Sequence, residues 1–185
     1  MTYLKLLAVL AVASTEGFAA DGSRRLVVSL RDHKLALIED GRAVKVYPIA
    51  IGKLTTPSPT GTFQVISRVS HPTWYGPRKV VGPGPGNPLG SRWMGLSRKG
   101  YGIHGTNAPK SIGKSASHGC IRMRKQDVEE LFELVQVGDE VDLVPEPTGE
   151  LAKVFRPSES RETAQAPTFV ENLVIADHTI TGGGQ

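Results

Sequence analysis

The chain has 185 residues, 39% of them hydrophobic and 6% aromatic, with one cysteine, five histidines and a formal charge of +4. That length suits one domain, and a single cysteine excludes a disulfide framework within the chain. No apolar run approaches the roughly 20 residues that span a bilayer, and no Cys/His pair has the spacing of a zinc site.

The N-terminus, MTYLKLLAVLAVASTEGFAADGS, has a positive charge at Lys5, an apolar run from Leu6 to Ala13 and the small-x-small pattern Gly17-Phe18-Ala19. These are the three parts of a secretory signal. The pattern predicts a signal peptide over residues 1–19 and export to the periplasm or cell wall, with no membrane span after cleavage. A buried first helix is the plainer reading of the same run. Residues 1–19 carry only Lys5 and Glu16, and residues 146–185 carry three basic against six acidic side chains, which leaves +7 on residues 20–145. A basic body suits an anionic polymer. An exported protein without a nucleic-acid motif points to a cell-surface polymer or a carboxylate-bearing peptide rather than to nucleic acid.

Arg25–Leu30 and Lys34–Glu39 are short runs of strand formers, the second clearly alternating. Asp40-Gly41 predicts a two-residue hairpin turn into a strand over Arg42–Ile51, because both central positions tolerate positive φ. The turn-rich TTPSPTGTF leads into a strand over Thr62–Val69. His71–Ser97 is crowded with proline and glycine and shows no period. Such a loop in a compact domain is usually functional or disordered; Trp74, Tyr75 and Trp93 argue against disorder and suggest an ordered flap or wall beside a site, the plainer alternative being that they seal the core. Gly100–Gly105 reads as a short strand ending at His104, and Thr106–Ala116 as a loop. Val128, Leu131, Phe132 and Val135 lie on one helical face, with Asp127, Glu129 and Glu130 in the first turn. The one main helix is therefore expected over about 126–136, followed by a strand over Glu140–Val144. Residues 146–185 read as an acidic, partly disordered tail, in which FVENLVIADHTI could form a last strand.

The chemistry concentrates at SASHGCIRM, Ser115–Met123. A thiol near pKa ~8.5 is mostly protonated at neutral pH, and activating one needs a base, a cation or a helix N-terminus. All three are expected here: Cys120 precedes the predicted helix, Arg122 and Arg124 follow it, and His104 and His118 are near. A cysteine paired with a histidine is an acyl-transfer arrangement. His104 arrives from a separate element and is the favoured base, while His118 shares the cysteine's loop and could equally brace it. No acid lies close to either in sequence, so a backbone carbonyl is a candidate to orient the imidazole, with Gly105 the obvious one. Gly119 allows close backbone approach, and the N–H groups of Gly119 and Cys120 could hold an oxyanion. His33, His71 and His178 read as turn or surface residues. Ser111, Ser115 and Ser117 lack a nucleophile elbow.

IHGTNAPKSIGKSASHGCIRM closely resembles the signature of the L,D-transpeptidases, the YkuD-type catalytic domain. Upstream, YPIAIGKLTTPSPTGTF and GPGPGNPLGSRWMGL resemble the family's strand, Thr-Pro-x-Gly turn and Pro-Gly-Asn-Pro loop, so the likeness covers roughly Arg25–Val144. The resemblance implies a mainly β, sandwich-like catalytic domain over residues 25–145 with Cys120 as nucleophile, His104 as base and acid, and Gly105 supplying the orienting carbonyl. It implies that His118, Gly119 and Arg122 line the substrate and oxyanion site, supported by Ser117, and that no cofactor is needed. Arg122 replaces the more usual asparagine. The implied donor is a peptidoglycan tetrapeptide stem. Its third residue would form a thioester on Cys120, releasing D-Ala, and an amine on a second stem or a wall-attached protein would accept it. Two other outcomes remain open on these residues: an L,D-carboxypeptidase or amidase using water, and a non-catalytic wall-binding domain.

Overall fold

A computed structural model describes residues 24–156. The expected signal peptide, His178 and the FVENLVIADHTI segment lie outside the described residues. Strands β1 (Arg25–Ser29) and β2 (Lys34–Glu39) pair antiparallel. The hairpin from β2 to β3 (Arg42–Gly52) turns at Asp40 and Gly41, with φ of 50° and 74°, the double positive φ that a two-residue hairpin requires. After β4 (Gly61–Ser70) come a small two-stranded ribbon, β5 (Trp74–Tyr75) with β6 (Val80–Val81), and then β7 (Arg92–Leu96) and β8 (Gly102–His104). A 3₁₀ turn at Pro109–Ser111 precedes β9 (Ser115–Ser117), β10 (Ile121–Met123), α1 (Lys125–Leu134), β11 (Glu140–Val144) and α2 (Gly149–Phe155).

Nine strands form one sheet in the order β10-β8-β7-β4-β11-β1-β2-β3-β9. The long β3 also pairs with β10, through Ala50–Arg122 and Ile49–Met123, so the sheet closes on itself into a barrel- or sandwich-like body. β1 reaches across the chain to pair parallel with β11, Arg25 opposite Glu140. Leu26, Val28, Leu35, Leu37, Ile49, Met94, Ile103, Ile121 and Met123 fill the interior, and Val128 and Leu131 of α1 seal it.

Three expectations change. The aperiodic stretch 71–97 contains a full sheet strand, β7, inserted between β4 and β8. Its core positions Met94 and Leu96 are buried and Gly95 lies between them, because a Cβ there would run into Ser67 Oγ. That glycine erases the alternation a strand usually shows. Cys120 does not stand directly before the helix, because β10 intervenes and α1 starts at Lys125. Ile121 and Met123 are both buried core residues, which draws this segment into the sheet. Finally, part of the expected tail is folded: Gly149–Phe155 is α2, packed on β2 and β3. Leu151, Val154 and Phe155 make one apolar face against Val27, Ala36 and Ile38, a helical period hidden by the surrounding proline and glutamate.

Candidate active site

Cys120 sits half-buried in the loop between β9 and β10, and hydroxyl groups fix that loop's backbone. Ser117 Oγ donates to the Cys120 carbonyl at 2.6 Å and accepts the Gly119 N–H at 2.9 Å. Ser58 Oγ donates to the Gly119 carbonyl at 2.8 Å and accepts the Gly52 N–H at 2.9 Å. The Lys53 N–H and Thr56 Oγ1 both donate to the Ser117 carbonyl, at 3.1 and 3.2 Å. Gly119 has φ of 113°, and a Cβ there would come within 2.7 Å of the Tyr101 ring. The position thus demands glycine on both backbone and packing grounds. This geometry corrects one expectation: the Gly119 N–H is spent on Ser117 Oγ, so it is not free for an oxyanion, and the Cys120 N–H is the remaining candidate of that pair.

His104 ends β8 and is buried, 4% exposed. Its Nδ1 lies 2.5 Å from the Gly105 carbonyl oxygen. A carbonyl only accepts, so Nδ1 carries the hydrogen and Nε2 keeps a free lone pair. Trp93 of the neighbouring β7 stacks on the imidazole, with ring centroids 5.7 Å apart. Burial lowers the imidazole pKa to about 4, and the Arg122 guanidinium pushes the same way. The Gly105 and Leu89 carbonyls favour the protonated ring and only partly offset this. At neutral pH the ring is a neutral base.

β8 and β10 run parallel, with Ile103 beside Ile121 and His104 beside Arg122. Extending that register puts Cys120 level with Gly102, two positions before the His104–Arg122 pair. At rest the thiol donates weakly to the Gly100 carbonyl, Sγ to O 3.6 Å. Burial pushes the thiol pKa up, while the Gly102 N–H and Arg122 pull it back. Arg122 is itself half-buried; burial lowers its pKa, and its Nε has no hydrogen-bond partner among the described residues. Two adjacent strand ends thus bring Cys120, His104 and Arg122 together. His118 is exposed on the cysteine loop, and Arg124 is an exposed residue capping α1.

The thiol opens into a cavity of about 670 Å³ whose walls include Thr73, Trp74, Tyr75, Leu89 and Trp93. The 71–93 segment is the expected wall. Its order comes from Asn87, which is 1% exposed. Asn87 Nδ2 donates to the carbonyls of Pro72 at 2.7 Å, Gly82 at 3.0 Å and Val81 at 3.2 Å, and its Oδ1 accepts the Leu89 N–H at 2.8 Å. Gly90 then presses on the backbone after His104, where a Cβ would come within 2.7 Å of the Thr106 nitrogen. Asn87 and Ser58 escaped the sequence reading, and so did the stacking of Trp93, a residue expected in the wall, on His104. The only signal for Asn87 was an asparagine enclosed by glycine and proline, a residue able to satisfy several carbonyls of a tight loop. His33 and His71 do occupy turns, both with positive φ, and His71 also lines the thiol cavity. Among the described residues no group of three His, Cys, Asp or Glu side chains could hold a metal ion, and no helix is long and apolar enough to cross a membrane.

Residues 23–143 match the family described as L,D-transpeptidase catalytic domain, YkuD. A Bacillus licheniformis protein that carries the name L,D-transpeptidase YkuD is 46% identical over 121 residues, covering 65% of this chain and 66% of its own. A Bacillus subtilis protein with the name L,D-transpeptidase YqjB is 41% identical over 125 residues, covering 65% and 70%. This chain therefore spans about two thirds of the length of those relatives. Among solved structures, the catalytic domain of an Enterococcus faecium L,D-transpeptidase is similar with a TM-score of 0.56 at 27% identity, covering 66% of this chain and 98% of that one.

Proposed function

Because this chain belongs to the YkuD family of L,D-transpeptidase catalytic domains, we propose that it is an exported cysteine acyltransferase acting on peptidoglycan stem peptides. In this reading Nε2 of His104 takes the Cys120 thiol proton as Sγ attacks the carbonyl of the third residue of a tetrapeptide donor. The Cys120 N–H and the Arg122 charge face the developing oxyanion. The tetrahedral intermediate collapses, the C–N bond to D-Ala breaks, and the His104 proton passes to the departing amine. An acceptor amine then attacks the thioester, gives a proton to His104, and expels the thiolate, which recovers that proton.

The observation that carries this reading is the bond from His104 Nδ1 to the Gly105 carbonyl. It presents a bare Nε2 from a neutral ring at the strand end beside the cysteine. The backbone carbonyl takes the place that a carboxylate holds in other triads. In this reading His118, exposed on the cysteine loop, is available to the substrate, and Ser117 and Gly119 hold the loop in shape.

The deciding experiment incubates purified muropeptides with the protein and analyses the products by mass spectrometry. Cross-linked dimers together with free D-Ala are expected. Tripeptides alone would mean that water is the acceptor and the protein is a carboxypeptidase. Unchanged muropeptides, with the protein still sedimenting with wall material, would leave only a binding domain.

A further inference from the structure

From Gly41 to Gln126 the sequence contains no aspartate or glutamate, yet it contains fourteen lysines and arginines, although the whole chain has 18 acidic residues. This stretch is β3 through β10, and it supplies every strand and turn that surrounds Cys120. The carboxylates of the described residues lie elsewhere: around β1 and β2, on α1, on and before β11, and around α2.

Five exposed cations of this stretch lie on the turns next to the thiol and its cavity. Lys53 belongs to the turn whose backbone bonds Ser117. Arg98 and Lys99 lead into Gly100, whose carbonyl meets Sγ and which lines the thiol cavity. Arg98 also lies over the Tyr101 ring at 5.2 Å, the ring that abuts Gly119. Arg78 and Lys79 close the β5–β6 turn, whose Trp74 and Tyr75 form the cavity wall. All five are exposed, and none makes an ion pair with another described residue. Beneath them sits the half-buried Arg122. A cleft walled by one sign of charge focuses its field and concentrates ligands of the opposite sign. No carboxylate of the described residues pairs with these five groups, so they are open to an incoming anion.

We propose that this acid-free rim selects the donor by its free carboxylates, so that the preferred substrate is an unamidated, polyanionic peptidoglycan strand. The proposal rests on the acyltransferase reading and names its substrate class. Two disaccharide-tetrapeptide donors, identical except that the stem carboxylates beyond the reacting centre are free in one and primary amides in the other, are compared by kcat/KM. The carboxylate donor is expected to be favoured about tenfold at low salt, mainly through KM, because several exposed pairs act together. That preference should shrink as salt rises to a few hundred millimolar, where the Debye length falls to several ångströms. The variant K53Q/K79Q/R98Q/K99Q, checked for an unchanged far-ultraviolet spectrum, should lose most of the preference and most of the salt dependence.

Equal kcat/KM for the two donors at every salt concentration overturns the rim while leaving the enzyme in place. If neither donor turns over, the acyltransferase reading fails, and binding decides the rim alone. In that assay Cys120→Ser protein is sedimented with insoluble peptidoglycan, either native, amidated chemically at its carboxylates, or stripped of phosphodiester polymers by acid. Binding lost only on amidation supports the proposal. Binding lost on stripping assigns the rim to a phosphate polymer and overturns it, as does binding indifferent to both treatments.

Discussion

Replacing Cys120 by serine isolates the thiol. The hydroxyl fits the space, so Cys120→Ser should melt like the wild type while turnover falls below detection, because the same imidazole activates a far weaker acid poorly. His104 and His118 separate by alkylation with iodoacetamide, which reports thiolate without any peptide. His104→Gln should slow alkylation of Cys120 at neutral pH and raise its pH midpoint, and His118→Gln should shift that midpoint less. Turnover lost with His104 should be about 10²- to 10⁴-fold, the usual worth of a general acid–base group. A midpoint moved by His118→Gln alone would reverse the two roles. Burial of His104 also couples its protonation to folding. Its pKa is near 4 in the fold against an ordinary 6.5, so between those values the unfolded chain binds more protons than the folded one. That contribution to stability is complete above about pH 6.5 and is lost as pH falls towards 4. Urea melts at pH 7 and pH 5 should therefore differ more for the wild type than for His104→Gln. The residues that β8 and β10 carry side by side were legible because spacing and chemistry mark them: one cysteine, a histidine on another element, an arginine next door. What was not legible depended on pairing in space. Gly119 looked like an oxyanion donor until its N–H was found bonded to Ser117 Oγ, and nothing near Ser58 in sequence announced its bonds to Gly52 and Gly119.

Among the elements, the wall from Trp74 to Gly90 has the clearest test. Replacing it with a short Gly-Ser linker should raise the donor KM severalfold while Cys120 stays open to alkylation. Asn87→Ala should do the same in part, because it removes four bonds that hold the wall. A variant of either kind with an unaltered KM would make the wall a mere connector. Helix α2 offers a second test. Phe155 is fully buried against Val27, Ala36 and Ile38, so Phe155→Ala should cost about 3–5 kcal/mol in a denaturant titration. A chain ending at residue 145 should be destabilised at least as much, whereas one ending at residue 156 keeps α2. The first strands, the Asp40-Gly41 turn and α1 could be read from sequence because each is a local pattern with its own period or turn chemistry. β7 and β10 could not. Both are short, enclosed by neighbours on two sides, and broken by glycine or charge, so their identity as strands rests on distant partners. α2 was masked by the composition around it.

At the scale of the whole molecule, β3 joins everything together: it pairs with β2 along one half and with β10 and β9 along the other. The cysteine loop is therefore suspended between β10, enclosed by β8 and β3, and β9, which lies against the same β3 at the end of the sheet. The sheet's closure has a consequence in time. The sheet is incomplete until β1 meets β11, Arg25 with Glu140, 115 positions later. Contacts that distant must overcome loop-closure entropy before they contribute anything, and β-rich domains dominated by them fold in milliseconds to seconds. A nascent chain still lacking β11 can pair its first strand with β2 on one side only, so the sheet stays open until nearly all of the domain has been made. Refolding by stopped flow should be correspondingly slow, and fragments ending before Glu140 should show no cooperative melt.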